Sequence, residues 1–197
     1  MQINFSTARY VLSAHLPRQM PPDRGAEVAF AGRSNVGKSS AINTITNQAR
    51  LARTSKTPGR TQQINFFSLD GDFHLVDLPG YGFARAPEAL RAHWGRFVTD
   101  YLLEREALRG LVLPMDIRRP LTGLDESMLS LCREAGLAVH VLLTKADKLG
   151  RGRGNDVLYR IRHQLGDDAA VTVQLFSATR KTGVEQARTR IAELLSG

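Results

Sequence analysis

The chain carries one cysteine, Cys132, in 197 residues. That excludes an intramolecular disulfide and any zinc or iron–sulfur site built on several thiolates. No stretch approaches the roughly 18 consecutive apolar residues of a transmembrane helix. Residues 1–20 lack a signal-peptide core as well, because Ser13, His15 and Arg18 interrupt the one apolar candidate. A cytoplasmic protein with no membrane partner is the expectation. Acidic residues are scarce where it matters: none falls between Glu27 and Asp70, a span holding Arg33, Lys38, Arg50, Arg53, Lys56 and Arg60. Over the whole chain 27 Lys and Arg face 19 Asp and Glu, a formal charge of +8. Such a surplus suits a polyanion, nucleic acid first. A second basic stretch holds Lys145, Lys148, Arg151, Arg153, Arg160 and Arg162, opposed only by Asp147 and Asp156. The five histidines show no metal-ligand spacing, and no Ser–His–Asp arrangement is recognisable. His140, inside an apolar run, reads as a satisfied core residue.

What is present is a rhythm of strand and helix. Strands are expected at 27–31, 62–69, 73–78, 110–115, 138–144 and 171–175. Helices are expected at 39–46, from Pro87 to about 106, at 124–134, at 156–165, and from a T-x-x-E capping box at 182–185 to Leu195. Asp70-Gly71 is the dipeptide of a tight hairpin, so the second and third strands should be antiparallel neighbours. The expected fold is therefore α/β: a mostly parallel six-stranded sheet with one antiparallel strand and helices on both faces. No repeat or long linker divides the chain. Residues 1–197 read as one domain with a short N-terminal extension. Such sheets bind ligands beyond the carboxyl ends of their strands.

Functional motifs fall at those ends. Gly32-Arg33-Ser34-Asn35-Val36-Gly37-Lys38-Ser39 matches G-x-x-x-x-G-K-S between a strand and a helix. Its backbone N–H groups and the helix N-terminus make an anion nest. Lys38 is placed for β- and γ-phosphates, and the Ser39 hydroxyl for Mg²⁺. Asp77-Leu78-Pro79-Gly80 places Asp77 to hold Mg²⁺ through a water and the Gly80 N–H to contact the γ-phosphate. Thr61 offers a second hydroxyl to the metal, or is an ordinary strand-entry threonine.

Thr144-Lys145-Ala146-Asp147 follows the fifth strand. A carboxylate at Asp147 accepts both N1–H and 2-amino hydrogens of guanine, and adenine offers neither donor. The Lys145 stem can lie along the base, and Ser177-Ala178 would present the Ala178 N–H to guanine O6. GTP and GDP are the expected nucleotides.

Phosphate loop, threonine, D-x-x-G, [NT]-K-x-D and S-A, in this order, resemble the translation-factor-like P-loop GTPases. Residues 55–62 (Ser-Lys-Thr-Pro-Gly-Arg-Thr-Gln), 77–82 (Asp-Leu-Pro-Gly-Tyr-Gly), Trp94, 116–121 (Asp-Ile-Arg-Arg-Pro-Leu) and 144–149 (Thr-Lys-Ala-Asp-Lys-Leu) resemble the EngB (YihA/YsxC) family of bacterial GTPases more closely. The resemblance spans roughly residues 5–195. It implies assembly of the large ribosomal subunit through rRNA and ribosomal proteins, with normal division and septation downstream, a monomer, and no DNA partner. It implies catalytic roles for Lys38, Thr61 and Gly80. It extends the nucleotide contacts to Gly59, Arg60, Gln62 and Gln63, to Leu78 and Pro79, and to Phe176. The loops at 48–61 and 79–86 read as switches. Tyr81 stands where better-known GTPases have a water-orienting glutamine, and it reads as a packed aromatic. Asn35 resembles a K⁺ ligand of related GTPases, or caps its loop. Turnover should be slow without a partner or cation. Two other readings stay open: a GTPase with a protein partner in RNA modification or signalling, and a nucleotide-binding scaffold with negligible turnover. Asp116 reads as a structural acceptor, and Arg118-Arg119 either pair with acids or face RNA.

Overall fold

The structure, a computed structural model, describes residues 3–52, 63–81, 88–166 and 168–197. Seven strands form one sheet: β1 (Arg9–Ala14), β2 (Ala26–Phe30), β3 (Ile64–Ser68), β4 (Phe73–Asp77), β5 (Leu108–Asp116), β6 (Ala138–Thr144) and β7 (Val171–Leu175). Their order is β1-β3-β4-β2-β5-β6-β7. Among the described residues only β3 runs against the rest, paired antiparallel with both β1 and β4. The expected six strands are thus seven, the extra one being β1. It is an edge strand with a bulge between Tyr10 and Leu12 and its first three residues exposed, so it shows no alternation. Its existence comes from pairing with β3.

The helices are α1 (Lys38–Ile45), α2 (Glu88–Glu104), α3 (Gly123–Glu134), α4 (Arg151–Leu165) and α5 (Val184–Ser196). Among the described residues no helix is long and apolar enough to cross a membrane. Successive strand residues face opposite sides, so β2 sends Val28 and Phe30 to one core and Ala29 to the other. Ala41, Ile42 and Ile45 of α1 meet Ala187, Ile191 and Leu195 of α5 on the first face. Phe97 and Tyr101 of α2, Leu129 and Cys132 of α3 and Ile161 of α4 cover the second. Strands buried on both faces explain the continuous apolar run of β6.

Three differences from expectation have local causes. The hairpin between β3 and β4 turns on three residues, 70–72, with Gly71 at φ 77° and the Leu69 N–H donated to Phe73 O at 2.8 Å. Helix α4 starts at Arg151 rather than 156, because the Gly154 N–H closes a turn on Gly150 O despite glycines at 150, 152 and 154. Helix α5 is capped by Gly183 at φ 75°, with no side-chain bond, instead of by the Thr182 capping box. A Cβ there would lie 2.2 Å from Leu175 O, so only glycine fits.

Two buried polar groups are fully engaged. Glu27, at the amino end of β2, accepts from the Tyr101 hydroxyl at 2.8 Å and from the Arg105 guanidinium, which also donates to Pro21 O. His140 sits between Thr172 and Gln174 of β7. The Gln174 amide nitrogen donates to Leu175 O and Gly183 O, which leaves its oxygen to accept from His140 Nε2. Burial pulls the imidazole down to about 4, so near neutral pH it carries one proton, on Nε2, and Nδ1 accepts from the Thr172 hydroxyl. It is the satisfied core residue expected.

Candidate functional site

The sheet order reverses at β2, which has β4 on one side and β5 on the other, and a crevice is expected beyond its carboxyl end. The loop 32–37 occupies that place and enters α1 at Lys38. Space at Gly32 is tight: a Cβ would stand 3.0 Å from Val36 Cγ2 and 3.2 Å from Pro114 O. Gly37 caps α1 at φ 99°, and Asn35 takes φ 64°. The loop is pinned from beneath. Buried Thr144 donates its hydroxyl to Val36 O at 2.6 Å, with Met115 O also within reach at 3.0 Å. Thr144 is thus held to the loop backbone by its own hydroxyl.

Charge gathers at one point. The Lys38 ammonium forms an ion pair with Asp77, which ends β4 and is buried. Ser39 lies in the first turn of α1, half-buried. The chain past β4 returns to the loop: Leu78 N–H donates to Phe30 O at 2.9 Å, Tyr81 N–H to Gly32 O at 3.2 Å, and Ser34 N–H to Tyr81 O at 3.3 Å. Leu78, Pro79 and Gly80 are therefore held beside the phosphate loop. The Ser34 hydroxyl is buried and has no partner among the described residues.

The Tyr81 side chain reaches α3. Its hydroxyl donates to Asp125 Oδ1 at 3.2 Å, and burial, with the Asp125 carboxylate second, pushes the phenol far above its usual range. It is a packed aromatic, as its position suggested. Asp125, fully buried in the first turn of α3, also accepts from Arg33 Nε at 3.2 Å, Thr122 N–H at 3.0 Å and the Thr122 hydroxyl at 2.8 Å. Arg33 donates further to Arg119 O at 3.1 Å. The sequence reading missed this node. The T-x-x-D pattern at 122–125 marks a helix start and was its only local sign.

The second cluster follows β6 and β7. Lys145, at φ 57°, donates to Asn35 O at 2.7 Å and to Asp116 Oδ2 at 2.9 Å. Arg118 grips the same carboxylate with two side-chain bonds, at 2.9 and 2.6 Å. Those bonds, the Lys145 bond and the Arg118 N–H hold Asp116 far below the usual carboxylate range. Asp116 is a structural acceptor, and Arg118 is paired with an acid. Asp147 lies in the short turn Ala146–Lys148, and its Oδ1 accepts the Ser177 hydroxyl at 2.6 Å. That bond, then Lys148, holds its carboxyl below the usual value. Ala146 N–H donates to Phe176 O at 3.1 Å and Phe176 N–H to Leu143 O at 2.9 Å, so residues 144–147 and 176–178 are stitched together.

Some expected site residues are not brought together. Gly59, Arg60, Thr61 and Gln62 lie outside the described residues, as do most of both loops read as switches. Gln63 is placed against His15, past the end of β1. The pairing of β1 with β3 sets it there, two strands away from β2.

Comparison with known proteins bears on this arrangement. The family described as the 50S ribosome-binding GTPase matches residues 27–145. A probable GTP-binding protein EngB of Stenotrophomonas maltophilia is 56% identical over 192 residues, covering 95% of each chain. The Xylella fastidiosa protein of the same name is 53% identical over 186 residues, covering 93% of this chain and 92% of that one. Among solved structures, a probable GTP-binding protein engB superposes with a TM-score of 0.69 at 21% identity, covering 87% of this chain and 99% of that chain. A GDP-bound NFeoB mutant from S. thermophilus gives 0.59 at 28% identity, over 86% of this chain and 62% of that one. A phosphate loop, a carboxylate ion-paired to its lysine, and relatives matched nearly end to end lead to one conclusion: the chain belongs to the EngB family of GTP-binding proteins, and it is a GTPase.

Proposed function

We propose that this GTPase is Mg²⁺-dependent and acts as an assembly factor for the large ribosomal subunit, with normal division and septation depending on that work. Residues 1–197 act as one GTP-binding unit, monomeric and cytoplasmic, with no DNA or membrane partner. The observation that carries the nucleotide reading is the convergence of two clusters on one sheet edge: Lys38 with Asp77 after β2 and β4, and Asp147 with Ser177 after β6 and β7. The ribosomal part is supported by the family description, 50S ribosome-binding GTPase, and by the +8 charge.

In this reading the N–H groups of residues 32–39 surround the phosphates, and Lys38 neutralises the β- and γ-phosphates. Gly80 N–H donates to the γ-phosphate, and Asp147 selects guanine. Mg²⁺ suits the donors present, the Ser39 hydroxyl and the Asp77 carboxylate, with Thr61 as a further hydroxyl and the other positions taken by water and phosphate. The Lys38 ammonium seated on Asp77 marks that carboxylate as the local centre of negative charge. When bound, the ion neutralises charge developing on the phosphates.

The test is Asp147→Asn. Two hydrogen bonds to a charged group, each about 1.5–3 kcal/mol, are lost from guanine, so GDP should weaken at least about 100-fold. Xanthine, whose 2-oxo group accepts from the amide, should gain. Competition among GDP, ADP and XDP reads this, and equal losses for all three would remove Asp147 from the base site.

A further inference from the structure

Helix α4 presents a surface used by neither core nor crevice. Tyr159 is 75% exposed, more than any other large apolar side chain among the described residues. The helix carries Arg151, Arg153, Arg160, Arg162 and His163 against one acid, Asp156. Among the described residues none of these arginines forms an ion pair. Tyr159, Arg162 and His163 stand at i, i+3 and i+4, hence on one face. They line a groove of about 840 Å³, closed on its far side by Gln186 and Arg190 of α5 and floored by Thr172 of β7. The acid on its wall, Glu193, is paired with Arg190 at 2.9 Å. The Arg190 Nε is buried and without a partner among the described residues.

Strand β7 is an edge, and an open edge invites another strand. Here it is blunted, because Arg162 Nη2 donates to Val173 O at 3.4 Å. A peptide strand therefore meets an occupied carbonyl. What remains is a basic wall beside one exposed aromatic ring, a pairing that suits phosphates and unpaired bases. A duplex hides its base faces, whereas a single strand offers them.

We propose that the groove between α4 and α5 along β7 docks a single-stranded RNA segment, with one unpaired base stacked on Tyr159 and the flanking phosphates on Arg162, His163 and Arg190. This rests on the reading that the partner is rRNA. The groove follows the amino-terminal half of β7, whereas the nucleotide clusters lie past its carboxyl end. RNA held here leaves the nucleotide site free.

The test uses the full chain with labelled oligoadenylate and oligouridylate of about ten nucleotides, within the span such sites cover. Tyr159→Ala should weaken binding roughly 5- to 100-fold, the loss that removing a stacking ring brings, while Tyr159→Phe stays within about twofold. Arg162→Gln should lower the salt slope by about 0.7, and Tyr159→Ala should leave it unchanged. GTP hydrolysis should be the same in all three variants. Equal oligonucleotide binding by wild type and Tyr159→Ala, or none by wild type, overturns the proposal, as does tighter capture of polyglutamate that ignores Tyr159. Co-sedimentation with large ribosomal subunits separates the two readings. Subunits bound alike by wild type and Tyr159→Ala sink the groove and keep the ribosomal reading. Oligonucleotides bound through Tyr159, with no subunit binding, do the reverse.

Discussion

One buried carboxylate, Asp125, joins three stretches of chain, the phosphate loop among them. Buried charge is tolerated when it is paired and hydrogen-bonded, and Asp125 has four donors. Asp125→Ala strands the half-buried Arg33 guanidinium and should cost about 3–5 kcal/mol in denaturant unfolding. Tyr81→Phe removes one donor and should cost about 1 kcal/mol. It should also leave single-turnover GTP hydrolysis within tenfold of wild type, whereas a residue in acid–base chemistry would lose about 10²–10⁴. A larger fall would give the phenol a chemical role. Asn35 supplies a parallel test. If it holds K⁺, turnover should be faster in K⁺ than in Na⁺, and Asn35→Ala should abolish the difference; matched rates in wild type would dismiss the cation. The node was not legible in the sequence because its donors stand at 33, 81 and 122, joined only by folding. The motifs were legible for the opposite reason. Phosphate and guanine chemistry demand fixed residue types at short spacings beside strand ends.

Among elements, strands with a clear apolar run were readable, even β7 at one edge of the sheet, and β1 at the other edge was not. Strands β6 and β7 lie where their apolar runs put them. Strand β1, Arg-Tyr-Val-Leu-Ser-Ala, is held by partners far along the chain, including Ser13 to Asn65 at 2.6 Å. The first turn of α4 was hidden by glycine, which disfavours helix by about 1 kcal/mol against alanine. Packing does not require it at one of these positions: a Cβ at Gly152 meets nothing within 4 Å. Gly152→Ala should therefore stabilise the chain by about 0.5 kcal/mol, read as a higher urea midpoint with unchanged slope. A loss of stability would show that the backbone at 152 is less helical than described.

The molecule as a whole should feel acid through His140. Burial pulls its imidazole down to about 4, against about 6.5 when unfolded. The unfolded chain then binds the proton more readily, so stability rises with pH across this window. The contribution is complete above pH 6.5 and is lost as pH falls toward 4, about 3 kcal/mol in all. Urea midpoints should drop between pH 7 and 5, and His140→Gln should flatten that drop whatever it costs at pH 7. Identical slopes would place the acid sensitivity elsewhere. The buried Cys132 thiol, pushed up to about 12 by burial, adds nothing in this range.

Gly183 has a consequence for how this chain can vary. It touches no nucleotide residue directly, yet Ser177 N–H donates to Thr182 O beside it, and Gln174 holds its carbonyl. Any side chain there collides with Leu175 O and pushes α5 off the end of β7. In a saturation library selected for nucleotide retention, position 183 should return glycine alone, while Gly152 should accept most residues. Tolerance would then follow the room around each Cα, not distance from the bound guanine.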